Sequence, residues 1–244
     1  AMHGFPSEVV PEGFDPFTIQ TGRGDSHRKP VFVHVGKHEE RKGTEQVILC
    51  FSRALEGREA VLILHVHNPF FPEGQARIAG LLSQLGFRTL NGLDFFRGGL
   101  EVKSTQGHGI SDAEIANLYR MADCGIFPSK GEGWGLCLME CLASGTPAIP
   151  GAWTAMGDYL GQEYPRELTL DKFSLETAND GQWFHGDRGS GHVPDEVEIM
   201  ERVRWAYLNA RSLIASEGWA RFVLDFRERW TWEMAAAKLD SAIK

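Results

Sequence analysis

The ten residues Gly131-Glu132-Gly133-Trp134-Gly135-Leu136-Cys137-Leu138-Met139-Glu140 constrain this chain more than any other segment. A short apolar run, Cys124-Gly125-Ile126-Phe127-Pro128-Ser129, comes just before them. The stretch Leu136-Cys137-Leu138-Met139-Glu140-Cys141-Leu142-Ala143, of helical composition, overlaps their end. A strand, a glycine-rich loop and a helix start in succession imply a layered α/β fold and a site for an anion. The free N–H groups of the first helical turn and the positive end of the helix dipole both face such a loop. Glu132 and Glu140 stand beside that site, and carboxylates accept hydrogen bonds from hydroxyls while repelling phosphates. Phosphate at the helix end and hydroxyls at the acids together point to a nucleotide sugar.

The rest of the chain alternates in the same way. Val31-Phe32-Val33-His34-Val35 is apolar, β-branched and closed by Gly36, as a buried parallel strand would be. Residues 45–55 carry Val47, Ile48, Phe51, Ala54 and Leu55 on one helical face. Residues 60–66 read as a strand and 76–85 as a helix stopped by Gly86. Within 88–110 only Leu100-Glu101-Val102 suggests a strand. Ser111-Asp112-Ala113-Glu114 is a capping box that opens an amphipathic helix with Ile115, Leu118, Tyr119 and Met121. Strand 124–128, the glycine loop, helix 136–144 and strand 147–150 follow. Beyond them, 177–195 reads as a polar loop, and 195–213 and 221–243 as two amphipathic helices. The alternation predicts a Rossmann-like, doubly wound parallel sheet with helices on both faces. Its ligands belong beyond the carboxyl ends of the strands. The expected organisation is a linker or N-terminal extension over 1–28, a nucleotide-sugar-binding domain over 29–200, and C-terminal helices over 201–244 packing on the same domain.

The first strand is followed by Gly36-Lys37-His38-Glu39-Glu40-Arg41-Lys42-Gly43, a cationic turn at the predicted ligand edge. Two or three cations in such a turn can neutralise a diphosphate, while Arg41 reads as a solvated side chain.

The segment FPSKGEGWGLCLMECLASGTPAIPG resembles the E-x7-E signature of retaining GT-B glycosyltransferases, family 4. The resemblance implies that Glu132 contacts the donor sugar and Glu140 holds the ribose. The Gly36–Gly43 turn is similar to the family's G-R-x-E-x-R-K-G element, which implies a diphosphate clamp at Lys37 and Lys42. A Lys stands here where the family usually has Arg, which keeps the charge and gives up the bidentate fork. Val9-Val10-Pro11-Glu12-Gly13-Phe14-Asp15-Pro16 resembles the segment joining the two lobes of such enzymes, and residues 226–243 resemble their closing helix. The resemblance covers about 9–160 well and maps onto one domain of two. It therefore implies the C-terminal, donor-binding domain. Acceptor contacts would come from an N-terminal lobe or from a partner chain that supplies one.

On this reading Glu132, Lys37 and Lys42 are the catalytic candidates. Gly36, Gly131, Gly133, Trp134, Gly135, Leu136, Cys137 and Glu140 are the donor-binding ones. The lysines would stabilise the departing diphosphate, and backbone N–H groups at Gly135, Leu136 and Cys137 would add donors. No metal or cofactor is expected besides the nucleoside-diphosphate sugar, since the chain has no D-x-D to hold a cation beside a diphosphate. Two other functions share this motif: a module that binds a nucleotide sugar without transferring it, and a GT-B-like sugar-nucleotide epimerase.

Other classes fit less well. No G-x-G-x-x-G follows the first strand, and neither G-x-x-x-x-G-K-[ST] nor G-x-S-x-G occurs. A net charge of −8 argues against a broad nucleic-acid surface. No apolar run approaches the ~20 residues needed to span a bilayer. Cys50, Cys124, Cys137 and Cys141 all lie in apolar stretches, as reduced thiols of a cytoplasmic protein would. His65 and His67 share a strand face, but no carboxylate nearby completes a metal site.

Overall fold

A computed structural model describes residues 8–23, 29–105, 110–177 and 189–243. Buried apolar runs supply the sheet: β1 (Val31–Lys37), β2 (Ala60–His67), β5 (Leu100–Ser104), β6 (Cys124–Phe127) and β7 (Ala148–Pro150). They lie parallel in the order β5-β2-β1-β6-β7. The helices α1 (Thr44–Ala54), α2 (Gly74–Gln84), α3 (Asp112–Met121) and α4 (Leu136–Ala143) make the crossovers, and helices cover both faces. From β1 the chain winds outward through β2 to β5, then returns to place β6 on the other side of β1. That reversal opens a crevice between the carboxyl ends of β1 and β6, the usual binding place in such sheets.

Close packing on this axis dictates residue types. A Cβ on Gly125 in β6 would lie 2.9 Å from the Cys141 sulfur of α4, so only glycine lets that helix settle on the strand. At the opposite edge the buried Asp123 carboxylate accepts the Val31 N–H at 2.8 Å and pairs with Arg23 and Arg211, fixing the start of β1 beside β6. Ser111 forms the expected capping box at the head of α3.

Three expectations need correction. The 88–110 stretch holds a hairpin as well as the predicted strand: β3 (Arg88–Thr89) and β4 (Asp94–Arg97) extend the sheet antiparallel to β5. Residues 106–109 of it lie outside the described residues. The loop expected over 177–195 is flanked by paired strands, β8 (Phe173–Thr177) and β9 (Ser190–Pro194), and its 178–188 portion is likewise outside them. A short helix, α5 (Ala155–Leu160), lies between β7 and β8.

The third concerns the C-terminal region. After α6 (Glu196–Ile214), which packs on α1, the helix expected over 221–243 is two: α7 (Glu217–Arg229) and α8 (Trp232–Ile243). At the break the Phe14 N–H donates to the Trp230 carbonyl at 3.1 Å, and the Trp232 N–H donates to Phe14 O at 3.3 Å. A Cβ on Gly13 would come within 2.3 Å of the Thr231 backbone, so glycine is required for this approach. Residue 14 therefore takes the backbone groups that would have continued the helix. Phe14 and Ile19, from the region expected as an extension, are buried in the same core as the sheet.

Candidate functional site

The crevice at the β1–β6 switch gathers the groups that the sequence singled out. The turn after β1 closes in a single 3-10 turn at Glu40–Lys42, and Gly43 (φ 71°) redirects the chain into α1. Lys42 then lies inward and its Nζ meets Glu132 Oε1 at 2.7 Å; both side chains are largely buried. Across the switch the loop after β6 carries Glu132 toward the lysine. Gly135 (φ 86°) ends that loop, and a Cβ there would lie 3.1 Å from the Tyr159 hydroxyl. A small cavity between the two loops is lined by His34, Lys42, Ser129, Glu132, Gly135 and Cys137.

Arg41 corrects the expectation of a solvated side chain. Although half exposed, its guanidinium meets Glu132 Oε2 at 2.9 Å, the Gly131 carbonyl at 3.0 Å and Glu39 at 3.0 Å. Lys37 stands apart from Glu132. Its ammonium pairs with Glu39 at 2.6 Å and lies 5.3 Å from the Phe70 ring centroid. The cations on Glu132 are thus Lys42 and Arg41. Burial pushes the Glu132 carboxyl up, but the Lys42 and Arg41 charges and the Lys42 and Ser129 hydrogen bonds outweigh it and hold the group below its ordinary range.

The Glu132 N–H donates to Thr154 Oγ1 at 3.2 Å. Thr154 has φ 53°, the sole non-glycine positive φ among the described residues, a costly conformation for a β-branched side chain. Gly131 fits against this residue, its Cβ position 3.7 Å from the threonine methyl, while Gly133 is exposed with open space around it. A Cβ on Gly36 would lie 3.9 Å from Lys42 Cδ, so that glycine keeps the lysine stem clear.

Glu140, about one helical turn along α4, occupies a different setting. It is half-buried, it has no ion pair among the described residues, and its one hydrogen bond comes from the Tyr119 hydroxyl to Oε2 at 3.3 Å. Burial pushes its carboxyl up to about 7 against the opposing effect of that bond. Leu136 and Cys137 form the first turn of α4, whose N–H groups have no acceptor within the helix. Burial raises the Cys137 thiol to about 11, so it remains protonated at neutral pH.

The Trp134 side chain does not face the cavity. Its buried ring sits 5.6 Å from both Tyr159 and Trp230, so the loop is nailed to the aromatic core and Trp134 has its backbone to offer a ligand. His34 was not singled out for the site. Its Nδ1 donates to Ile126 O at 2.7 Å and its Nε2 accepts from Thr44 at 3.1 Å, with burial lowering it to about 4. This neutral imidazole braces β1 against β6 and α1.

A family model described as glycosyl transferases group 1 matches residues 99–171, the segment holding Tyr119, Glu132, Thr154 and Glu140. Over that segment the chain is similar to the group 1 glycosyl transferases. A D-inositol 3-phosphate glycosyltransferase of Segniliparus rotundus is 26% identical to this domain over 150 residues, 58% of the chain and 31% of that protein. Sucrose-phosphate synthase from Thermosynechococcus elongatus superposes with TM-score 0.61 at 19% identity, covering 97% of this chain and 51% of that one. An E. coli structure described as trehalose-6-phosphate bound with UDP-2-fluoro glucose gives TM-score 0.65 at 13% identity, with coverages of 97% and 52%. These structures share the GT-B glycosyltransferase fold with the domain. The chain spans about half the length of the solved relatives and about a third of the curated one. Among the described residues no His, Cys, Asp and Glu cluster is arranged to hold a metal ion, and His65 instead meets the Thr105 hydroxyl at 2.7 Å. No described helix is long and apolar enough to cross a membrane.

Proposed function

We propose that this chain is the donor-binding lobe of a retaining glycosyltransferase and holds a nucleoside-diphosphate sugar at the β1–β6 switch. The observation that carries this reading is the meeting of Lys42 and Glu132, ninety residues apart in sequence, at 2.7 Å beside the start of α4. The diphosphate occupies the space between Lys42 and the first turn of α4, and Lys37, from the same turn after β1, swings from Glu39 to add a second cation. Glu132, kept ionised by its partners, accepts hydrogen bonds from sugar hydroxyls, and Glu140 accepts them from the ribose. The curated relative transfers glycosyl groups, and one structural neighbour holds a UDP sugar, which supports the same ligand class here.

Charge development on the leaving diphosphate is met by Lys42 and the helix end without a metal ion. An N-terminal lobe, in the same protein or on a partner, contributes the acceptor. Residues 29–200 form the body of this lobe, and 201–244 brace it. The free thiols fit a reducing compartment, and the cytoplasm is the proposed location.

Calorimetric titration with UDP, GDP, ADP and their sugar conjugates, with and without Mg²⁺, tests this reading. One nucleotide is expected to bind independently of Mg²⁺, and both Lys42→Ala and Glu140→Ala are expected to weaken it about tenfold or more. Absence of binding by the wild type would sink the donor-site reading. Conversion of the sugar nucleotide without an acceptor, seen by chromatography, would replace transfer with epimerisation.

A further inference from the structure

We infer that Tyr119 is a positioning residue that aims the Glu140 carboxylate at the ribose and so sets the preference for ribonucleotides over deoxyribonucleotides. The inference rests on the donor-site reading above and adds a residue and a selectivity to it.

Tyr119 is wholly buried on α3, and Glu140 projects from α4, which packs beside it. The phenol oxygen reaches Glu140 Oε2 at 3.3 Å. The Thr146 hydroxyl donates to the Tyr119 carbonyl at 2.7 Å, so the tyrosine is fixed from both its backbone and its ring. Among the described residues Oε1 of Glu140 accepts no hydrogen bond, and no cation pairs with the carboxylate. A half-buried acid with one neutral donor is poorly compensated for its lost hydration. Ribose hydroxyls are donors that supply the missing bonds to the open oxygen. Immobilising Oε2 leaves Oε1 pointing one way, which lowers the ordering cost when those hydroxyls arrive. The charged and titratable groups around Glu140 are few: Asp112 acts on it at a distance, and the Cys137 and Cys141 thiols stand one turn away or adjacent on α4.

The test compares UDP, GDP and ADP with their 2′-deoxy and 3′-deoxy counterparts on wild type, Tyr119→Phe and Glu140→Gln. Wild type should favour the ribonucleotide. Tyr119→Phe keeps the ring and removes one hydroxyl; it should weaken the ribonucleotide about five- to tenfold, the scale of one hydrogen bond to a charged group, and leave the deoxy forms unchanged. Glu140→Gln should narrow the same ratio further. An unchanged ribo-to-deoxy ratio in Tyr119→Phe, with wild-type binding intact, overturns the role of Tyr119 and leaves the donor site standing. Equal weakening of both forms also overturns it, since that marks a general packing effect. No nucleotide binding by wild type overturns both readings. If Tyr119→Phe does not fold, 3-fluorotyrosine at position 119 gives a second measure. Its ¹⁹F resonance should move with the ribonucleotide and stay fixed with the deoxy forms, and movement with both sinks the inference.

Discussion

Glu132 sits under Lys42 and Arg41, whereas Glu140, farther along the same loop-helix unit, meets only the Tyr119 hydroxyl. The first carboxylate is held below its ordinary range despite burial, while the second is pushed up to about 7 by it. Burial acts on both in the same direction, so the divergence comes from their partners: two cations and the Ser129 hydroxyl at Glu132, a single phenol at Glu140. Such a pair suits two separate tasks. Glu132 is charged before any ligand arrives, whereas Glu140 is only part-charged near neutral pH and gains charge as new donors approach.

Removing cations from Glu132 should produce the largest effects. Lys42→Met breaks a largely buried pair and is expected to cost about 3 kcal/mol in urea unfolding, partly offset by the remaining guanidinium. Arg41→Met, at the half-exposed side of the same carboxylate, should cost under about 1 kcal/mol. Equal costs would break the contrast between the two cations.

The pH dependence distinguishes the acids next. A carboxyl with a folded value above its unfolded one stabilises the fold at low pH, and that stability is lost as pH rises through the folded value. For Glu140 the loss spans from its unfolded value near 4.5 to about 7. Glu132 runs the other way: its contribution is present at neutral pH and lost as pH falls through its lowered value. Glu140→Gln should therefore raise stability at pH 8 by about 1–2 kcal/mol and flatten the decline between pH 5 and 8. A decline as steep as in wild type would show that another group titrates there.

Thr154 offers the smallest and sharpest test. Thr154→Gly should relieve the strained backbone and stabilise the fold by about 1 kcal/mol, while it frees the Glu132 N–H and weakens sugar-nucleotide binding. Thermal unfolding and calorimetry together check this divergence; parallel changes in both would refute the strain argument.

Much of the architecture was legible in local pattern. The strands β1 and β2 announced themselves as apolar β-branched runs and β6 as a short apolar one, and Ser111 with Glu114 marked the head of α3. What escaped shares one cause, namely partners distant in sequence. Arg41 looks solvated in its own turn because Glu132 lies 91 residues on. Trp134 reads as a donor-binding residue within its glycine loop, yet its ring packs against Trp230 and Tyr159. The break before α8 has neither glycine nor proline to announce it; Phe14 imposes it from the other end of the fold. The hairpins β3–β4 and β8–β9 are short and carry exposed residues, so no apolar alternation reveals them.

That strap between residue 14 and the α7–α8 break also bears on how the chain folds during synthesis. Arg227 donates to the Ile19 carbonyl across 208 residues of sequence, among the longest closures in the molecule. While the ribosome is still adding α7, Phe14 and the glycine loop at Trp134 have no lid. The sheet can form early from neighbouring strands, but the aromatic floor of the glycine loop must wait for residues 227–232 to emerge. Until then an apolar patch stays open on an otherwise assembled sheet, the kind of surface that chaperones capture.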